Sequence, residues 1–183
     1  MKKSIITLGL CLLVVSTVFA QKVITRTGEI KFEASMPALE EVAATSQTVS
    51  CVLDESKGEF ASLALIKSFK FKVPLMEEHF NENYMESSKF PKSTFKGKIA
   101  NFDAKKLSST PTAYDIDGDL TIHGVTKKIK SKINLSTKGG KVIAATNFLV
   151  KPQDYKIEIP SVVKSKIAQN VNISANFELE AGK

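Results

Sequence analysis

The chain is poor in the residue types that build metal sites and disulfides. Its 183 residues include no tryptophan, two cysteines and two histidines. Cys11 falls within the first twenty residues, so the remainder keeps Cys51 alone and cannot form an internal disulfide. His79 and His123 do not complete any metal-ligand spacing, because neither C-x-x-C nor H-E-x-x-H occurs. We therefore expect neither a metal site nor a cofactor.

Catalytic motifs are missing as well. The sequence has no G-x-S-x-G and no glycine-rich loop that could cradle a phosphate. Cys51 has apolar residues two positions away on both sides, which predicts a buried thiol with a raised pKa and little reactivity. His79 is interpreted as a surface residue, because no partner for a general base is evident. The sequence favours a protein that is not an enzyme, with a lipid hydrolase as the least favoured hypothesis.

A formal net charge of +7 raises the question of nucleic-acid binding. The lysines, however, stand singly at alternating positions, and no basic stripe is interleaved with aromatic residues. This pattern is typical of a solvated strand face. We expect no nucleic-acid partner.

The first twenty residues have the layout of a secretory signal peptide. Two lysines near the start precede an apolar run over residues 5–15, and a small-residue cleavage site ends at Ala20. The run is too short for an integral membrane span. We predict cleavage at about Ala20, which leaves residues 21–183 as one domain in the periplasm or outside the cell.

Alternation of apolar and polar residues dominates the rest of the chain. It is strict over four stretches, residues 92–99, 114–122, 128–135 and 171–180. Weaker alternation or nearly continuous apolar sequence marks four more, residues 28–32, 49–53, 60–71 and 142–150. Alternation with a period of two residues predicts strands with one buried face and one solvent-exposed face. Short glycine-containing turns between these strands favour hairpins over parallel units with helical crossovers.

These one-sided strands favour a closed sheet. An open sandwich would leave long edge strands, whereas an antiparallel up-and-down barrel removes every edge and gathers the apolar residues inside. A barrel of about eight strands is either filled by its own side chains or just wide enough for one small ligand. Gly97 and Gly118 face inward in mid-strand and mark either the approach of a ligand or a bend of the barrel.

Two stretches depart from the strand pattern. Met76, Phe80 and Tyr84 recur every four residues within 74–88, which predicts one short amphipathic helix. We expect it to lie over one end of the barrel as a lid, with His79 on its polar side. Residues 151–164 contain two prolines and are predicted to form an irregular loop.

An acidic run at residues 115–119, D-I-D-G-D, superficially suggests a calcium loop. The glycine that should follow the third acidic position is Leu120, and the final glutamate of the motif is missing. We interpret the three aspartates as the wet face of a strand.

Residues 120–127, LTIHGVTK, follow Tyr114 and Gly118, and an F-P-x-x-x-F-x-G run occupies residues 90–97. On these motifs the chain resembles the YceI-like family of secreted bacterial proteins, most strongly over residues 77–135. The family's usual D-x-x-H-S opening strand is replaced here by G-E-I-K-F. The resemblance implies a lipocalin-like barrel that holds a polyisoprenoid, an isoprenoid quinone or a similar long-chain amphiphile, with polar groups only at its mouth.

Inward position and size together give a set of candidate ligand-binding residues. They are Phe60, Phe95, Gly97, Tyr114, Ile116, Gly118, Leu120, Ile133 and Phe177 along the barrel, with Phe80 and Tyr84 at the lid. The alternative is a ligand-free secreted protein with a structural or stress-related role and a filled interior. A homodimer that shares the tunnel between two subunits also stays open.

Overall fold

The computed structural model describes residues 22–36 and 40–182 as an antiparallel β-barrel. The predicted signal peptide lies outside the described residues. The strands are β1 Lys22–Ser35, β2 Ala43–Asp54, β3 Glu59–Leu65, β4 Lys70–Phe71, β5 Lys92–Ile99, β6 Thr112–Ile122, β7 Val125–Lys138, β8 Lys141–Val150 and β9 Ile167–Ala181. One short helix, α1, spans Pro74–His79. In the described part of the chain, no helix is long and apolar enough to cross a membrane.

Eight of these strands close the barrel. They lie in the order β1-β9-β8-β7-β6-β5-β3-β2, and β1 pairs with β2 to complete the ring. The two-residue β4 continues the line of β3 along the same edge of β2, because a 3₁₀ turn at Ile66–Ser68 interrupts the apolar stretch 60–71. The predicted fold class is confirmed: an all-β antiparallel up-and-down barrel of about eight strands with one short helix.

Tight hairpins set the strand directions. Gly139 and Gly140 have positive φ values of 57° and 78° and form the two-residue turn between β7 and β8, one of the short glycine-containing turns that the sequence predicts. His123 and Gly124 make the equivalent turn between β6 and β7, with φ values of 50° and 72°. Positive φ at both central positions produces the turn whose twist matches that of antiparallel strands.

The D-I-D-G-D run forms a charge ladder on the outer face. Three aspartates of β6 lie directly opposite three lysines of β7, with nitrogen–oxygen distances of 2.5 to 3.6 Å. The pairs are Asp115–Lys132, Asp117–Lys130 and Asp119–Lys128. Because all six side chains are largely exposed, each pair contributes little stability. A shift of the register by one residue would turn the aspartates inward, so the ladder supports the register.

One end of the barrel is closed and packed. Its interior is filled by five aliphatic side chains that are at most 1% exposed, namely Val49, Leu53, Ile99, Leu135 and Leu179. Phe102 and Leu107, from the connection between β5 and β6, pack against this cluster from below. The expectation that Cys51 is buried is confirmed, and burial raises the pKa of its thiol.

Three aromatic side chains cross the barrel above this packed end, and we call them the aromatic floor. The ring centroids of Phe60 and Phe95 are 6.3 Å apart, and those of Phe60 and Phe177 are 5.8 Å apart. The Phe177 ring lies against Gly28 of β1, where an added Cβ would stand 2.4 Å from the ring. Gly28 therefore supplies the room that the ring needs.

Gly97 and Gly118 serve the same purpose under Phe95. They face each other across β5 and β6, and a Cβ on either would stand 2.6 Å from Cζ of Phe95. The expectation that these glycines leave space for a ligand is therefore corrected. Their missing side chains admit an aromatic ring of the protein itself and allow the two strands to approach closely.

A methyl group at Gly97 tests this packing. We expect Gly97→Ala to lower the free energy of unfolding by about 1–3 kcal/mol, because the new Cβ overlaps the Phe95 ring and the carbonyl oxygen of Asp117. Urea unfolding followed by circular dichroism measures the change. Gly182→Ala is the control, since its Cβ would make only ordinary contacts. Equal stability of the two variants would contradict the packing role.

Cys51 offers a second test of the packed end. Because its thiol is buried and its pKa is raised, we expect a thiol reagent to modify the chain without residues 1–20 only when the barrel unfolds. The labelling rate should therefore rise with urea in parallel with unfolding. Rapid labelling of the native protein would show instead that the packed end opens readily.

Candidate functional site

A cavity of about 510 Å³ lies above the aromatic floor. This volume falls within the range of about 300–1,000 Å³ that is typical of small-molecule sites. Its walls come from the mouth-side halves of the strands, and its roof comes from α1 and the loop 151–166. Most lining side chains are aliphatic or aromatic. The barrel is therefore filled in one half and hollow in the other.

Eight of the eleven candidate residues surround this cavity. They are Phe60, Phe80, Tyr84, Phe95, Ile116, Leu120, Ile133 and Phe177. Gly97 and Gly118 do not line it, because the Phe95 ring covers them. Tyr114 lies below the floor, where its ring packs edge-on against Phe102 at a centroid distance of 6.3 Å.

The lid is shorter than predicted. The α-helix ends at His79, and a wider, π-type turn continues through Phe80–Tyr84, whereas the sequence predicts one helix over 74–88. Met76, Phe80 and Tyr84 face the cavity as expected. The side chain of His79 is exposed, in agreement with its expected polar side, but it also borders the cavity at its rim.

Phe80 anchors the lid to the barrel. Its ring centroid lies 5.2 Å from that of Phe32 in β1, 6.0 Å from that of Phe69 and 5.1 Å from that of Phe71 in β4. The 3₁₀ turn before Phe69 and the short β4 bring these rings together at the mouth. The four rings hold the lid closed on the β1 side.

A carboxylate reinforces the same attachment. Glu77 of α1 accepts hydrogen bonds from the Lys70 ammonium and from the backbone N–H of Phe71. The hydrogen bond from Lys70 is the main reason that the pKa of Glu77 lies below its usual value. The lid is thus tied to β4 by both apolar and charged contacts.

On the side of the mouth away from β1 and β4, the barrel wall divides between β7 and β8. β7 and β8 pair only from Ile133–Thr146 down to Lys138–Lys141. Above that level β7 stays with β6 and β8 stays with β9. The 3₁₀ turn Pro152–Tyr155 lies at this seam, which we define as the divergence of β7 and β8 beyond Ile133–Thr146.

Tyr155 is the main side chain that closes the seam. It is buried with Leu120 and Val150, and Ile129 of β7 and Phe148 of β8 pack against the same cluster. Burial, together with the neighbouring carboxylate of Asp154, raises the pKa of the Tyr155 hydroxyl. The side chain therefore bridges two strands that share no backbone hydrogen bonds at this level.

His123 joins three segments at the mouth. Its Nδ1 lies 3.2 Å from the carbonyl oxygen of Tyr155, and its Nε2 lies 2.8 Å from Oε2 of Glu86. The imidazole is 9% exposed and meets the Phe90 ring edge-on at 4.4 Å. The hairpin between β6 and β7, the segment after the lid and the loop 151–166 thus converge on one side chain. We call this group the His123 latch.

The sequence does not indicate the latch. The contacts of His123 come from residues 37 and 32 positions away, and no local pattern indicates them. The sequence also predicts only an irregular loop over residues 151–164, although Ile157, Ile159 and Val163 line the cavity. The alternation of Ile157, Glu158 and Ile159 was the available signal for that role.

Polar side chains are a minority of the cavity lining, and they comprise Ser62, Ser93, Thr94, Ser131 and Thr146 on the strands together with Glu40, His79 and Lys166. Ser131 and Thr146 face the interior near the seam, and the Thr146 hydroxyl donates to the backbone oxygen of Lys132 at 2.7 Å. His79 and Lys166 border the rim. Across residues 22–36 and 40–182, no three His, Cys, Asp or Glu side chains are grouped as a metal site would require. This arrangement can hold an apolar chain and bond a polar end.

Comparison with known proteins gives one family and several structural relatives. The model of the YceI-like domain matches residues 18–179. The fold is similar to a polyisoprenoid-binding domain from Saccharophagus degradans implicated in plant cell wall breakdown, with a TM-score of 0.76, 16% identity and coverage of 90% of this chain and 100% of that chain.

Two further solved structures share the fold at low identity. BcnA from Burkholderia cenocepacia has a TM-score of 0.69 and 14% identity, with 84% of this chain and 96% of that chain covered. The YCEI protein of Campylobacter jejuni has a TM-score of 0.60 and 19% identity, with 81% and 89% covered. No curated protein matched in the sequence search.

The His123 latch can be tested against the chain's other histidine. We expect His123→Ala to increase amide hydrogen exchange in the loop 151–166 and in the hairpin between β6 and β7, because both lose a shared buried partner. His79→Ala is the matched control, since that side chain is exposed at the rim. Unchanged exchange in His123→Ala would rule out the latch.

Proposed function

Since the chain belongs to the YceI-like family, we propose that it is a binding protein that carries a polyisoprenoid, an isoprenoid quinone or a similar long-chain amphiphile. The observation that carries this proposal is the apolar cavity between the aromatic floor and the lid. The relative from Saccharophagus degradans, described as a polyisoprenoid-binding domain, supports it.

The geometry gives the ligand a direction. The floor blocks passage to the packed end, so the apolar tail enters from the mouth and ends at Phe60, Phe95 and Phe177. Each buried CH₂ group contributes about 0.8 kcal/mol, so a partly inserted tail already binds well. The polar end then lies at the rim, where His79, Lys166 and the carboxylate of Glu40 are available.

No covalent step is proposed. Cys51 is buried outside the cavity lining, and its raised thiol pKa makes it a poor nucleophile. The alternative hypothesis, a ligand-free barrel with a filled interior, explains the packed end of the barrel but not the cavity above the floor. The hollow half favours a carrier over that structural role.

We propose further that residues 1–20 direct export and are removed at about Ala20, so that the protein acts in the periplasm or outside the cell. N-terminal sequencing of the protein from the secretory compartment checks this, and a retained Met1 would contradict it. A homodimer stays a prediction.

Filling the cavity tests the carrier directly. We expect Ser131→Leu to weaken the binding of an added polyprenol or isoprenoid quinone by about tenfold or more, because the new side chain projects into the cavity. The free energy of unfolding should change by less than about 1 kcal/mol, since the space is empty of protein atoms. Native mass spectrometry reports the bound fraction.

The control substitution is Asn134→Leu, on the same strand but exposed on the outer face. It should leave binding unchanged. If neither probe binds the wild-type protein, or if Ser131→Leu binds both as well as wild type does, the carrier proposal fails. Extraction of the protein from its own compartment, followed by identification of the released molecule, then names the ligand.

A further inference from the structure

Large apolar side chains are exposed at one end of the barrel. Among the described residues, four are more than half exposed: Leu65 at 51%, Leu75 at 57%, Leu149 at 65% and Val162 at 81%. Leu65 ends β3, Leu75 lies in the lid, Leu149 is near the end of β8, and Val162 belongs to the loop 151–166. The strand directions place all four around the mouth.

The loop 151–166 has an inner and an outer side. Val163 lines the cavity, while the adjacent Val162 is the most exposed of the four apolar side chains. The loop also carries four exposed lysines, at 151, 156, 164 and 166, against only Asp154 and Glu158. An apolar tip flanked by lysines is the pattern with which peripheral segments contact anionic lipid.

The character of this surface argues for lipid over a protein partner. Protein interfaces are centred on buried aromatic and arginine residues, whereas the four exposed side chains are leucine and valine. Four aromatic rings of the mouth, those of Phe32, Phe69, Phe71 and the lid residue Phe80, are packed against one another. The basic loop complements the negative charge of phospholipid head groups.

We propose that the mouth end docks on an anionic lipid surface, with Val162 inserted at the acyl boundary and the lysines of the loop against the phosphates. Docking places the rim of the cavity at the bilayer, where a long-chain amphiphile resides. The idea that docking serves the transfer of an amphiphile rests on the proposed function, whereas the docking itself does not depend on it. Val162 directly precedes Val163, which lines the cavity, so lipid contact at Val162 falls on the loop that forms part of the cavity roof.

Vesicle co-sedimentation tests the proposal with residues 21–183, the chain without the predicted signal peptide. We expect binding to vesicles that contain phosphatidylglycerol, weaker binding to pure phosphatidylcholine vesicles, and loss of the difference at high salt. Lys164→Glu should lower affinity for the anionic vesicles by about fivefold or more. Val162→Asp should lower it by about tenfold, because an inserted apolar group is replaced by a charge.

Lys138→Glu is the matched control. It makes the same charge change in the turn at the packed end, far from the mouth along β7. It should retain wild-type affinity. Three results would each overturn the docking proposal: equal binding to both vesicle types, wild-type affinity of Val162→Asp and Lys164→Glu, or an equal loss in Lys138→Glu, which would indicate a response to net charge alone.

A separate measurement distinguishes this proposal from the carrier proposal. When a polyprenol is added in the absence of vesicles, Val162→Asp should bind it as wild type does. Binding of vesicles without binding of the polyprenol or a quinone would leave docking supported and the carrier function refuted. Polyprenol binding without salt-sensitive vesicle binding would leave the carrier function supported and docking refuted.

Discussion

The aromatic floor is the constraint on which the rest of the structure depends. Two of its three phenylalanine rings lie against glycines of the same or an adjacent strand, so Phe95 requires Gly97 and Gly118, and Phe177 requires Gly28. The floor separates the aliphatic core that supplies stability from the hollow half that can take a ligand. An eight-stranded barrel is usually either filled by its own side chains or just wide enough for one small ligand. Here the floor allows one half to be filled and the other half to be hollow.

The roof of the cavity is held in place by a few side-chain contacts rather than by a backbone ladder. The lid and the loop 151–166 have little regular structure, so their positions depend on contacts made at their ends. Phe80 and Glu77 attach the lid to β1 and β4, and the latch attaches the loop to the hairpin through His123. The latch also holds the segment after the lid, because His123 bonds Glu86. The four exposed apolar side chains lie at this same end of the barrel, so the binding and docking proposals concern one end of the molecule.

Local periodicity was enough to predict the fold. Alternation identified the eight barrel strands, the turn at Gly139 and Gly140, the burial of Cys51 and the outward direction of the three aspartates. Six of the nine barrel residues that inward alternation selected also line the cavity. The alternation failed at Gly97, Gly118 and Tyr114, because an inward position does not say which neighbouring ring will occupy the space.

The other failures have a common physical cause. The role of His123 depends on Glu86 and Tyr155, which are distant in sequence, and the seam depends on where two twisted strands part. Neither leaves a signal in a window of ten residues. The loop 151–166 was similarly underestimated, since its prolines masked the alternation of Ile157 and Ile159.

The seam has a consequence for cooperativity. From Ile133–Thr146 downward, β7 and β8 share a continuous ladder, whereas beyond that pair they are joined through side chains, namely the cluster around Tyr155 and the hydrogen bond from the Thr146 hydroxyl to the Lys132 carbonyl oxygen. The wall can therefore part there by releasing side-chain packing, without breaking any backbone ladder. Local opening of the wall at the seam therefore disrupts less structure than separation of β7 and β8 at the packed end, where the backbone ladder must break.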